Sequence, residues 1–186
     1  MRRVLGMFLA APLLLVTLVA TASVPFAPAA SARCAPPDGN EVIWKITKVR
    51  KSYKSTGVSS NWVHPKYDKF HINYSESDTS TTSATVTATI SAEAGVIFAK
   101  ASTSLSVAVG KQWSKTKTWS YTADVPKDPD HQYRLVQKQE TRKFLATKYA
   151  WSFATCKYSN KVKSGRVEMP RLSEKSLVWR LERRSA

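Results

Sequence analysis

Apolar and polar side chains alternate with period two through most of this chain, the pattern of strands that bury one face. In EVIWKITKV (41–49), Val42, Trp44 and Ile46 share a side. In KFHINY, Phe70, Ile72 and Tyr74 alternate with Lys69, His71 and Asn73. STGVSSN (55–61) reads as a loop from its Ser, Gly and Asn content. SESDTSTTS (75–83) fits either an exposed continuation of the strand or a loop. YRLVQKQ (133–139) and KFLATKYAWSF (143–153) are two further strands, after the turn-rich DVPKDPDHQ (124–132). RLSEKSLVWRLERR (171–184) fits a last strand or a short helix capped by Ser173. The pattern is that of an all-β, antiparallel protein with strands longer than usual.

The segment TSATVTATISAEAGVIFAKASTSLSVAVG (82–110) carries the alternation in its purest form. Ala84, Val86, Ala88, Ile90, Ala92 and Ala94 face one way, and Ser83, Thr85, Thr87, Thr89, Ser91 and Glu93 the other. Beyond Gly95-Val96-Ile97-Phe98 the apolar parity moves to odd positions: Ala99, Ala101, Leu105, Val107 and Val109. One residue of slip moves every side chain to the other face, so a turn or bulge is expected there. The odd positions continue through Lys111, Trp113, Lys115, Lys117, Trp119 and Tyr121 until Pro126, with a break near Gly110 compatible with the length.

These two blocks have the length and the faces of transmembrane β-strands, and Lys100 and Glu93 flank their tip. A lone pair of strands leaves edge groups unpaired in lipid, so spanning requires copies from other chains to close a barrel. On patterning alone, an ordinary half-exposed hairpin in a soluble sheet is the preferred reading.

Composition adds a compartment and a charge. MRR, the apolar LGMFLAAPLLLVTLVA and Ala30-Ser31-Ala32 form the three-part plan of a secretory signal peptide. Cleavage near Ala32 predicts an extracellular protein with a single domain over 33–186. The two cysteines, Cys34 and Cys156, then form one disulfide, with two free thiols as the alternative. The formal charge of +16 falls by two with Arg2 and Arg3, to +14, which favours anionic partners. Lys111, Trp113, Lys115, Lys117, Trp119 and Tyr121 share a strand face suited to an anionic membrane surface or a cell-wall polyanion. The alternative is that the tryptophans fill the core while the lysines reach around its rim. No nucleic-acid motif accompanies the charge, so no specific nucleic-acid partner is expected.

Catalysis finds no motif. His64, His71 and Asp68 have no recognised metal spacing, and Asp124, Asp128 and Asp130 lack a calcium-loop pattern. The expectation is no enzyme, no metal and no cofactor.

The Ser/Thr-rich alternating pair, followed by KQWSKTKTWSYTADVP and then YRLVQKQ, resembles the pore-forming module of the aerolysin family, nearest its epsilon-toxin and mosquitocidal-toxin branch. The resemblance spans about residues 70–153. It implies an elongated antiparallel twisted sheet with long amphipathic strands and a Ser/Thr-rich hairpin. In that family the hairpin is released after homo-oligomerisation, and the copies form a β-barrel pore. It implies insertion by 84–109, led by Ala84, Val86, Ala88, Ile90, Val96, Ile97, Phe98, Leu105, Val107 and Val109, with 111–153 as flanking strands. The other expectation is a non-enzymatic secreted binder of anionic cell-surface or cell-wall polymers through the basic aromatic face.

Overall fold

The computed structural model describes residues 34–186, and the signal-peptide reading of 1–32 lies outside the described residues. The described chain is all-β and antiparallel, with one short helical insert. Its spine is β5 (His131–Ser152), 22 residues long, or ~70 Å at about 3.3 Å per residue. One edge of β5 pairs with β1 (Val42–Ser59). The other edge pairs first with β7 (Leu177–Ser185) and then with β6 (Lys157–Pro170). The two-residue β3 (Thr85–Val86) extends this sheet beyond β6. A separate antiparallel hairpin, β2 (Phe70–Ser83) and β4 (Gln112–Val125), packs over one half of it.

Two apolar clusters hold the layers. Val58, Ile72, Tyr74, Trp113, Trp119, Val125 and Leu135 fasten the hairpin to the β5–β7 half. Trp44, Phe144, Ala146, Val167 and Met169 receive the insert between β2 and β4, through Ile90, Ile97, Ala101 and Val109. A buried polar band lies along the spine: Thr56, Ser80, Thr82, Gln137, Gln139, Glu140 and Thr141.

Several expectations are corrected. The strands expected at 133–139 and 143–153 are one strand. The polar Gln139-Glu140-Thr141 passes through the core because Glu140 meets Lys51 at 3.1 Å and Arg142 at 2.9 Å. The Gln139 amide donates to the carbonyls of Arg171 and Ser173. The loop expected at 55–61 is strand to Ser59, carried through a register shift by Gly57 at φ +95°. Of the alternatives left open, SESDTSTTS is strand, and the C-terminal segment is the last strand, β7, entered through a 3-10 turn (Glu174–Ser176).

The Cys34–Cys156 disulfide is present, with a Cα–Cα distance of 5.6 Å. It ties the start of the described chain to the β5–β6 turn. Closing a loop of this length is worth ~5 kcal/mol in the chain-entropy model.

Candidate functional site

The hairpin β2–β4 has two unlike faces. Asn73, Ser75, Ser77, Thr79, Thr81 and Ser83 lie opposite Thr122, Ser120, Thr118, Thr116, Ser114 and Gln112, all polar. Cross-strand hydroxyl contacts run along this outer face: Thr79 to Thr116 at 2.6 Å and Thr81 to Ser114 at 2.9 Å. The inner face carries Ile72, Tyr74, Trp113, Trp119 and Val125 into the core.

The ladder does not end at the last strand pair, Ser83 with Gln112. The Ala84 amide still donates to the Lys111 carbonyl at 2.7 Å. There it forks. Thr85 and Val86 turn onto β6, opposite Glu168 and Val167. Residues 108–110 turn onto the segment after β6, through Gly110 N–H to Pro170 O and Leu172 N–H to Ala108 O.

Between the arms of the fork the expected pair of strands is absent, which corrects the hairpin expected over 84–109. Residues Ala88–Glu93 form a 3-10 turn, and α1 (Ala94–Ser104) is an α-helix. The physical reason is a second period in the same residues. Ala94, Ile97, Phe98, Ala101 and Leu105 recur at helical spacing, and all five are buried or half-buried. Tertiary burial decided between two legible patterns.

Intrinsic preference contributes little to α1. Gly95, Val96, Ile97, Ser102, Thr103 and Ser104 are all weaker helix formers than alanine, by about 3–4 kcal/mol in sum. Neither Thr87 nor Glu93 makes a side-chain cap bond. The insert is held instead by two contacts. Gly165 lets it approach: a Cβ built there would lie 2.7 Å from Ile90 Cγ1. Glu93 then pins it. Its carboxylate accepts from Lys163, from Lys148 at 2.9 Å and from Trp44 Nε1 at 3.2 Å. The two lysine contacts, Lys163 foremost, hold the Glu93 carboxyl down at about 2.

Eight of the ten insertion candidates gather in one place. Ile90, Ile97 and Val109 are core, with Ala84, Val86, Phe98, Leu105 and Val107 packed around them. Ala88 and Val96 are exposed, Val96 at 60 %.

The basic aromatic face divides. Trp113 and Trp119 are buried at 7 % and 5 %, so they are core in this form, as the rim-lysine alternative anticipated. Lys111, Lys115, Lys117 and Tyr121 are exposed. Lys115 and Lys117 both pair with Glu174, whose carboxyl they hold down at about 2. Lys117 sits over the Trp119 ring at 4.5 Å, and Tyr121 stacks on Trp179 at 5.6 Å. Sequence reasoning placed Glu93 only beside a turn and gave no role to Gly165, Lys148 or Lys163. Their roles depend on contacts from 50 to 80 residues away, for which local alternation carries no signal.

Of the titratable residues considered for metals, His71 contacts Asp124 at 2.5 Å, while Asp128 takes the Tyr133 hydroxyl at 2.6 Å and the His131 ring at 3.0 Å. Comparison with protein-family models, with curated proteins and with solved structures returns no match for this chain.

Proposed function

We propose that the protein is a secreted, membrane-interacting protein of the aerolysin-like pore-forming type, and that residues 84–109 are its insertion element. In this reading the form described above is the stored one. The insert leaves its core, β2 and β4 zip onward through it, and copies of the lengthened hairpin close a barrel in an anionic membrane. The net positive charge favours that surface.

The observation that carries the reading is the register of β2 and β4. Continued beyond Ser83 and Gln112, it pairs Val86 with Val109, Ala88 with Val107, Ile90 with Leu105, and Ala94 with Ala101. On the other face it pairs Thr89 with Ser106, Ser91 with Ser104, and Glu93 with Ser102. The change of parity near Gly95 is what this register requires, and Ile97-Phe98 falls at the tip. On the first strand the hydroxyl face of the existing hairpin runs on through Thr85, Thr87, Thr89 and Ser91, while on the second it resumes at Ser106 after Gly110 and Ala108. An apolar face toward lipid and a polar face toward a lumen is the pattern of a membrane barrel. Thirteen residues per strand from 84 to 96 exceed the 9–11 or so that a spanning strand needs. Ala92 opposite Thr103, Thr87 opposite Ala108, Thr85 opposite Gly110, Gly95 opposite Lys100 and Ala84 opposite Lys111 are the mixed pairs, the last at the interfacial end.

The test is dye release from anionic liposomes by the mature protein. Ala88→Asp changes a residue that is exposed in the stored form and would face lipid in the barrel. Release is expected to fall at least tenfold with the soluble fold unchanged. Thr89→Asp, on the lumen face, is expected to retain release. Absence of release by the unaltered protein, or indifference to Ala88→Asp, contradicts the proposal.

A further inference from the structure

On the side of the large sheet away from α1, a cavity of about 620 Å³ opens over the junction of β1, β5, β6 and β3. Its floor is a cross-strand row: Arg50 pairs with Lys143, Lys143 with Glu168, and Glu168 with Thr85. Arg166 stands in the next row of the same face, opposite Leu145. On the β1 side the register slips between Thr47 and Arg50, and Lys48 in that bulge sits at φ +53°. Left-handed backbone is uncommon for a lysine, and bulges re-aim side chains. Here the bulge adds a fourth cation to the cavity lining.

The charge in the cavity is one-sided. Glu168 is its one lining carboxylate, and it is already engaged, by Lys143 at 3.4 Å and the Thr141 hydroxyl at 2.5 Å. Lys48, Arg50 and Arg166 form no ion pair among the described residues. Two guanidinium forks and an ammonium around one concavity match a dianion with three acceptor oxygens better than they match a single carboxylate. The volume leaves room for a glycerol- or sugar-sized group on that anion.

We propose that this cavity binds a phosphomonoester through Arg50, Arg166 and Lys48, and that the bound group pins β3. Its far wall is Thr85 and Thr87, the first residues of the insert. Thr87 is fixed to Arg166 itself: its amide and hydroxyl donate to the Arg166 carbonyl at 3.0 and 2.9 Å. A ligand completed by that wall binds the stored form more tightly than the released one, and so shifts the population toward storage. The pinning rests on the function proposed above. The site does not.

The probe is glycerol 3-phosphate, titrated calorimetrically into the mature protein with glycerol as control. One saturable site per chain is expected, weakened at least tenfold by Arg50→Gln or Arg166→Gln and unchanged by Lys115→Gln on the other layer. No saturable binding, or an equal loss in Lys115→Gln, overturns the site. Vesicles separate the sources of the ester. Preference for phosphatidic acid over phosphatidylglycerol at matched charge, erased by Arg166→Gln, identifies a lipid headgroup. Soluble binding without that preference identifies a free phosphate ester. Hydrogen exchange at residues 85–87 is expected to slow at least tenfold with glycerol 3-phosphate bound, and no slowing at saturation overturns the pinning. Failure of dye release bears on the proposed function alone, because the titration does not depend on it.

Discussion

Glu93 and Gly165 bear directly on how tightly the insert is stored. A methyl group at position 165 would lie 2.7 Å from Cγ1 of the fully buried Ile90. Gly165→Ala is therefore expected to lift the 88–93 turn and to cost about 1–3 kcal/mol, the usual cost of overpacking. The check is urea unfolding, together with faster hydrogen exchange confined to residues 88–101. Glu93 acts through charge. Its ordinary value of 4.5 is lowered to about 2 in the fold, as is that of Glu174. Asp128 is lowered from 3.8 to about 2, by the Tyr133 hydroxyl first and then by His131. A depressed carboxyl stabilises the fold fully above its unfolded value and loses that contribution as pH falls toward the folded one. Stability is thus expected to be level above about pH 5 and to decline between about 4.5 and 2, followed by urea midpoints across that range. Glu93→Gln should flatten the part of the decline seen in exchange of the insert. The sequence shows that these are a glycine and a glutamate in unremarkable surroundings, and no more, because their partners are brought together only by the fold.

At the scale of elements, alternation was a sound guide wherever a strand packs one face. β2, β4 and the N-terminal part of β1 lie where Ile72, Trp113 and Trp44 pointed. It failed in two ways. β5 was split, since a buried Glu140 looks like a loop until Lys51, Arg142 and Arg171 are known to surround it. β6 carries no apolar alternation, because Lys163 and Gly165 stand at the positions that continue the row of Val167 and Met169. The insert fits two strands in sequence because its alanine and small hydroxyl residues satisfy both a period of two and a period of 3.6. That ambiguity is itself the property a segment needs if it is to be stored as helix and used as strand. Raising helix preference at exposed positions should then favour storage. Val96→Ala with Thr103→Ala is expected to stabilise the stored form by about 0.5–1 kcal/mol and to slow liposome release, read from unfolding midpoints and release half-times.

For the whole molecule, the proposed function makes β5 and the disulfide the part that stays and the insert the part that moves. Reduction of Cys34–Cys156 removes ~5 kcal/mol at most by loop-closure entropy, so a clear fall in Tm is expected in reductant, with the oxidised protein as reference. The layers differ in how they are joined. Away from the fork the hairpin is fastened by Ile72, Tyr74, Trp119 and Val125. Near the fork the buried Trp113 stands beside a polar band in which Ser80 donates to Gln137 Oε1, while Thr82 Oγ1, Gln137 Nε2 and Gln139 Oε1 make no hydrogen bond among the described residues. Unsatisfied buried groups weaken packing.

The central claim is a register, and a pair of cysteines reads it directly. Ser91 and Ser104 are direct partners in the lengthened hairpin, where their Cα atoms would lie about 4.5–5.5 Å apart, within disulfide range. In the stored form Ser91 lies in the 3-10 turn before α1 and Ser104 ends α1, whose eleven residues span about 16 Å. In the double variant Ser91→Cys with Ser104→Cys, an intrachain cross-link is expected to form on anionic liposomes and not in solution. The off-register pair Ser91→Cys with Ser102→Cys should form it in neither. No cross-link on membranes that the protein permeabilises, or equal cross-linking of both pairs, would contradict the account.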